Sequence, residues 1–231
     1  LFCSHTVTFG ATRSLLWHQG VKEQDIRELL YRGDGWPGRI RLRLTNGNER
    51  CISSLSPLWT SIFGSFLWTP RRCLMCGDLT NESADISFGD PWLPEIINSE
   101  HEGESIVIAR TKEGDELLRN AANEGYLALS AIPPAKVIQS QSTFLHFKKI
   151  NLRERMSLLR VLGGTKLQAP RGRSGSTFGN RILAVMPVLA SNLGAAFAPA
   201  LKYIPPVVLK VQTSMFNMLY RSLRRRDLKR L

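Results

Sequence analysis

Residues 39–54 leave the chain one local choice. Charged and apolar residues alternate without a fault from Arg39 through Leu44, and side chains two apart share a face only in a strand. Ile40, Leu42 and Leu44 then face one way, and Arg39, Arg41 and Arg43 the other. Asn46-Gly47 follows, a dipeptide suited to a tight reversal because it tolerates positive φ. Residues 49–54 supply the return strand. Ahead of the hairpin, Gly33, Gly35, Gly38 and Pro37 crowd six residues and exclude a helix there. A chain with such a hairpin must find an apolar layer to cover one side of it.

Several segments can provide that layer. Residues 11–19 and 22–31 have helical spacing. In the second, Ile26, Leu29 and Leu30 form a stripe, and Glu23, Asp25 and Glu28 stand where a helix dipole favours acids. Ser56 as N-cap and Pro57 at the first position predict a helix over 56–67. Residues 105–110 read as a short buried strand, Thr111 as the cap of a helix to about Asn123, and residues 126–129 as a further strand. This order gives a mixed α/β domain.

Charge divides the chain. The net charge is +12, yet residues 1–147 carry 14 Lys+Arg against 17 Asp+Glu, a net of −3. Residues 148–231 carry 17 Lys+Arg against Glu154 and Asp227 alone, a net of +15. The asymmetry predicts a domain over 1–147 and a mainly helical basic region over 148–231, with an amphipathic helix at 150–162 and a Gly/Ser/Pro-rich linker at 163–180. Residues 182–201 hold no charge and by length alone could span a bilayer. Pro187, Asn192 and Pro199 argue instead for a helical hairpin packed on a missing part of the protein or on a partner. The basic terminus beside it suits a peripheral membrane contact. The tail lacks interleaved aromatics and any recognised binding module, so nucleic acid is not the expected partner.

The chain begins with Leu1, and Cys3 ends what reads as a buried strand. The expectation is a carboxy-terminal part of a longer protein, with that strand's partners upstream. Four cysteines, two of them in one Cys-x-x-C, suit a reducing cytoplasm.

That Cys-x-x-C opens the most chemically loaded stretch, residues 71–92. Cys73 and Cys76 can bring two sulfurs to one centre from a single turn, as iron–sulfur clusters, zinc sites and redox disulfides require. No apolar helix follows, which disfavours a thioredoxin-like site. No second Cys-x-x-C or spaced His pair follows either, which disfavours most zinc ribbons. Asp78, Thr80, Asn81, Glu82, Asp85, Ser87 and Asp90 read as a binding loop. Cys51 reads as a small buried hydrophobe. His5, His18, His101 and His146 are scattered without metal spacing. No Ser-His-Asp elbow, P-loop, HExxH helix or Rossmann fingerprint occurs, so hydrolase, kinase and nicotinamide-dependent readings have no support.

The stretch resembles the segment C-x-x-C-x-D-x-T-x-E-x-A-D-I-S-x-G-D-x-W of flavin-dependent iron–sulfur proteins related to the beta subunit of coenzyme F420 hydrogenase/dehydrogenase. Cys73, Cys76, Asp78, Thr80, Glu82, Ala84, Asp85, Ile86, Ser87, Gly89, Asp90 and Trp92 fall on it. Leu1-Phe2-Cys3 resembles the end of the family's G-L-F-C strand, and Tyr31 to Gly38 resembles its Y-R-G-x-G-W-P-G turn. The resemblance covers about ninety residues and extends more weakly to about residue 147.

It implies an oxidoreductase that passes electrons between an iron–sulfur donor or acceptor and an organic substrate through FAD. It implies a 4Fe–4S cluster ligated by Cys3, Cys73 and Cys76, with the remaining ligand upstream. For the flavin it implies Arg32, Gly33, Gly35, Trp36 and Gly38, together with Asp78, Thr80, Asn81, Asp85 and Asp90. In that role the glycines would permit close backbone approach, Arg32 would meet a phosphate or a reduced ring, and Trp36 would offer a stacking face. Coenzyme F420 is the implied small-molecule substrate, and ferredoxin or a hydrogenase/dehydrogenase subunit the implied redox partner. Two other readings stay open. One is a structural zinc protein with a nucleic-acid-binding tail, and the other a non-catalytic subunit that docks on a partner or a membrane edge.

Overall fold

The computed structural model describes residues 1–99, 102–162 and 178–227. Most of the expected linker at 163–180, His101 and the side chains of the terminal arginine cluster at 224–226 lie outside the described residues. The hairpin forms where the alternation places it. Strand β2 (Arg39–Leu44) pairs antiparallel with β3 (Glu49–Ser53), with Ile40 opposite Ile52 and Arg43 opposite Glu49. Ile40 and Leu42 are fully buried, each contributing about 1.5–3 kcal/mol by leaving water. The opposite face is laced by ion pairs: Arg43 to Glu28 at 2.7 Å and to Glu49 at 3.2 Å, and Arg41 to Glu49 at 3.1 Å and to Asp34.

The helix expected over 22–31 does not form. Glu23–Asp25 makes one 3-10 turn, and Ile26–Leu30 is strand β1, which completes a three-stranded sheet in the order β1-β2-β3. Its register runs from Ile26 opposite Leu44 to Leu30 opposite Arg41, with a bulge between Ile26 and Glu28. Strand β2 has two edges, and the hairpin covers only one. A ladder of backbone bonds and the Glu28–Arg43 pair across it outweigh the few tenths of a kcal/mol per residue that favour a helix here.

Helix α1 (Phe9–His18) and helix α2 (Pro57–Gly64) cover the apolar face. Ser56 caps α2 by accepting a hydrogen bond from the Trp59 amide at 3.3 Å. Ala11, Leu15, Leu16 and Ile62 join Ile40, Leu42 and Ile52 in one core. That core continues into the tail. Leu159 of α7 (Leu152–Val161), Val188 and Ala190 of α8 (Phe178–Ala196) and Leu209 of α9 (Pro206–Asp227) belong to the same cluster. Gly194 lets α8 lie directly on the backbone of Leu67, and the Ser191 hydroxyl donates to the Thr69 carbonyl at 2.7 Å. The uncharged stretch at 182–201 therefore packs on the protein along α8 and turns a corner before α9. Among the described residues no helix is long and apolar enough to cross a membrane.

A second, two-stranded sheet pairs β4 (Ile86–Gly89) with β5 (Ile106–Ala109), antiparallel, with Ile86 opposite Ala109. Thr111 caps the following α5 (Lys112–Asn123), its hydroxyl accepting from the Gly114 amide at 3.2 Å. The strand expected at 126–129 is irregular chain, with Tyr126 79% exposed. The partner of β5 comes instead from inside the polar run. The leading segment also pairs within this chain: the Phe2 amide donates to the Phe88 carbonyl at 2.7 Å and the Cys3 amide to the Leu79 carbonyl at 2.8 Å. These partners lie downstream in the chain. Short helices α3 (Arg71–Met75) and α4 (Pro94–Ser99), helix α6 (Pro134–Leu145) and a π-helical turn at His146–Ile150 complete the fold.

Candidate functional site

A cavity of about 580 Å³ opens between the leading segment, the turn after β1, and helices α2, α6 and α9. Its walls are aromatic, with Tyr31, Trp59, Phe63, Phe66, Trp92 and Phe144 among them. Polar residues stand between them, among them Cys3, His5, Arg32, Asp90 and Gln141. An apolar cleft with a small set of convergent polar groups is how proteins hold flat organic ligands.

Two of those groups form a clamp between sequence motifs. The Arg32 guanidinium donates to both Asp90 carboxylate oxygens, at 2.9 and 2.6 Å. Hydrogen bonding to Asp90 raises the Arg32 pKa further, so the group is a permanent cation. The Asp90 carbonyl accepts from the Gln141 side-chain amide at 2.7 Å. The turn after β1, the end of the polar run and α6 are thereby tied at the cavity's edge.

His5 sets the character of the inner wall. It is 6% exposed, its ring centroid lies 4.1 Å from that of Phe63 and 5.0 Å from that of Phe66, and Nε2 lies 3.1 Å from the Phe63 carbonyl. A carbonyl only accepts, so Nε2 carries the proton and Nδ1 is the acceptor. Nδ1 is buried without a hydrogen-bond partner among the described residues. Burial pushes the His5 pKa down to about 4, with nearby Lys148 adding to the effect against the Phe63 bond. At neutral pH this wall carries a neutral imidazole.

The glycine-rich turn serves itself before any ligand. Gly35 and Gly38 have φ of 81° and 85°, and Asp34 shares the left-handed region at 60°. A Cβ on Gly38 would sit 3.0 Å from the Gly35 carbonyl and 3.1 Å from that of Gly33, so the turn closes on its own backbone. The Arg39 amide donates to the Gly33 carbonyl at 2.9 Å, and Ser54 pins Gly38 and Pro37 to β3. Trp36 is buried with its ring 5.3 Å from Trp92. The stacking face expected of Trp36 is thus turned to Trp92, and it is Trp92 that lines the cavity.

The polar run divides in two. Only Asp90 reaches the cavity wall. Asp78 makes a local turn, its carboxylate accepting from the Glu82 amide at 3.1 Å, and Asn81 takes a left-handed φ of 56°. Arg110 organises the rest. Its guanidinium donates to the Thr80 hydroxyl and the Ser87 hydroxyl, both at 2.9 Å, to the Thr80 carbonyl at 3.1 Å and to the Ala84 carbonyl at 3.3 Å. The Arg110 amide also bonds the Asp85 carbonyl at 2.8 Å. The loop's shape is thus held by a residue that sequence reading passed over, though an arginine ending a buried strand is a legible signal for it.

The thiols are placed apart in kind. Cys73 is buried on α3, Cys76 is half-buried at its end with its thiol 3.5 Å from the Asp78 carbonyl, and Cys3 is exposed at the aromatic cavity. Cys51, expected in the interior, is exposed on β3, because the register puts it on the charged face opposite Arg41. Among the described residues no three His, Cys, Asp or Glu side chains converge as a metal-holding group. Behind the turn stands Arg155 of α7, fully buried, donating to the Leu74 carbonyl at 3.0 Å and to the Phe147 carbonyl, with its guanidinium 3.8 Å from the Phe147 ring centre. Burial pushes its pKa down, opposed by the charges of Glu154 and Cys76. The tail therefore delivers a buried cation to the Cys-x-x-C turn.

Residues 1–135, more than half of the chain, match the family model that describes the C terminus of the beta subunit in coenzyme F420 hydrogenase/dehydrogenase. No curated protein matches the chain.

Proposed function

The chain belongs to the coenzyme F420 hydrogenase/dehydrogenase beta-subunit family, a family of redox enzymes, and from that premise we propose that its aromatic cavity holds a flat redox heterocycle. The heterocycle we propose is the isoalloxazine of FAD, with coenzyme F420 as the small molecule that meets it. Membership as a beta subunit implies partner subunits, and one of these is the redox partner in this reading.

The observation that carries the proposal is the cavity itself: stacking faces from Tyr31, Trp59 and Trp92 with a fixed guanidinium at its edge. Such a heterocycle, when bound, supplies the hydride and electron-pair chemistry. The chain's residues do the rest. The rings of Tyr31, Trp59, Phe63 and Trp92 exclude water and fix the plane of the ligand. Asp90 holds Arg32 in place, so its positive charge is fixed at the cavity's edge rather than mobile and would meet an anionic group of the ligand there. Neutral His5 keeps the inner wall uncharged.

We propose separately that Cys3, Cys73 and Cys76 are ligands of a 4Fe–4S cluster, which takes four ligands in all. It is checked by iron and acid-labile sulfide after anaerobic purification, with Cys73→Ser expected to lose both. The cavity proposal is checked by the visible spectrum and extractable flavin of the same preparation. Flavin bound in near-equal ratio to chain is expected. A chain that neither retains FAD nor takes it up on reconstitution would overturn the proposal.

A further inference from the structure

A second cavity, of about 530 Å³, lies at the first turn of α1, walled by residues 67–71 and by the carboxy-terminal end of α8. It shares no lining residue with the aromatic cavity. Three cations line it, Arg13, Arg71 and Lys202, against one acid, Glu23, which is bonded to Arg13 at 3.0 Å. Helix α1 has no acidic residue in its first turn, and its N-cap Thr8 makes no side-chain capping bond. A helix start of that kind carries partial positive charge and favours anions.

Two buried polar side chains at this cavity lack partners among the described residues. Trp68 and Thr69 both line this cavity, each 3% exposed, and neither Trp68 Nε1 nor the Thr69 hydroxyl has a hydrogen-bond partner among the described residues. The indole N–H is placed at the helix start, since a Cβ on Gly10 would lie 2.9 Å from it. An indole nitrogen can only donate, so its missing partner is an acceptor. Buried polar groups are almost always satisfied, and an exception asks for an explanation. Arg71 is held in position by its bond to the Asn192 side-chain oxygen at 3.0 Å.

We propose that this cavity binds a phosphate-class anion, received by the Trp68 indole N–H, the Thr69 hydroxyl and the first turn of α1, and neutralised by Arg13, Arg71 and Lys202. One of these walls, the end of α8 with the segment to Lys202, comes from the tail, beyond the part of the chain that matches the family. Ala195, Ala198 and Pro199 form an uncharged rim. The phosphate can therefore be that of a soluble ligand or of a lipid headgroup.

The test uses the full chain. Inorganic phosphate is titrated calorimetrically against a chloride control of equal ionic strength. In parallel, the chain is sedimented with phosphatidylcholine vesicles with and without phosphatidylglycerol. Parent is compared with Trp68→Phe, which removes the donor together with part of the buried ring system, with its fold checked by circular dichroism, and with Lys202→Gln at the half-exposed rim. Each substitution is expected to weaken binding by about tenfold, the scale of one charge-assisted hydrogen bond or close charge. Phosphate heat lost in both variants supports a soluble ligand. Phosphatidylglycerol-dependent sedimentation without phosphate heat, weakened in both variants, supports a lipid headgroup. If neither probe binds, or if both variants bind like the parent, the site is not an anion site.

Discussion

Acidification from pH 7 to pH 5 should remove about 2 kcal/mol of stability through His5 alone. In the unfolded chain a histidine titrates near 6.5, whereas His5 in its box of Phe63 and Phe66 titrates at about 4. The folded state resists the charged form, so between these values the unfolded chain binds more protons. Stability then rises with pH across that window and falls on acidification. The full gap corresponds to about 3 kcal/mol, reached below pH 4, while at pH 7 the loss is only a few tenths of a kcal/mol and at pH 5 it is about 2. Urea unfolding followed by circular dichroism at pH 7, 6 and 5 measures this, with His5→Gln as the comparison. Glutamine can keep a donor for the Phe63 carbonyl but does not titrate. Other groups titrate in both proteins, so the difference between them isolates His5. The parent should lose about 2 kcal/mol more than the variant between pH 7 and pH 5. A parent–variant difference that stays constant across the range would refute the burial argument.

Gly194→Ala should lower thermal stability by at least about 1–3 kcal/mol, because its Cβ meets the Leu67 backbone and α8 must lift from the core; a melting curve reads it. Arg110→Ala strips the Thr80, Ala84 and Ser87 oxygens of their shared donor, and limited proteolysis should then cut residues 78–85 faster than in the parent. Ile40→Ala, at a fully buried position on β2, should cost about 2–5 kcal/mol in denaturant unfolding. Arg32→Gln should weaken FAD binding about tenfold through loss of the guanidinium, with unfolding free energy changed by less than about 1 kcal/mol because the Asp90 pair is largely exposed.

Sequence reading reaches the elements whose signal is local. The alternation at 39–44 dictates its own strand, and Ser56-Pro57 and Thr111 announce their helices. Ile26–Leu30 reads as helix because its strand state depends on an edge of β2 that no local window contains. The polar run hides β4 for a similar reason: its four residues become a strand only against β5. The clamp between Arg32 and Asp90 joins residues 58 apart, and the motifs that single out both carry no sign that they touch. The aromatic walls are not legible. Phe63, Phe66 and Phe144 look like ordinary core residues until the fold brings them to one cavity. Arg155, in a tail defined by its charge, gives no hint in sequence that it is buried behind the cysteines.

The most direct measurement on the central claim is a fluorescence titration of the full chain with FAD, comparing parent with Trp59→Ala. Trp59 lines the cavity from α2 and is only partly buried, so its removal should leave the fold intact while deleting a stacking face. Saturable binding by the parent, weakened about tenfold in the variant, is the predicted result. Equal affinity in the two proteins, or no saturable binding by either, would contradict the assignment of the aromatic cavity as the redox site.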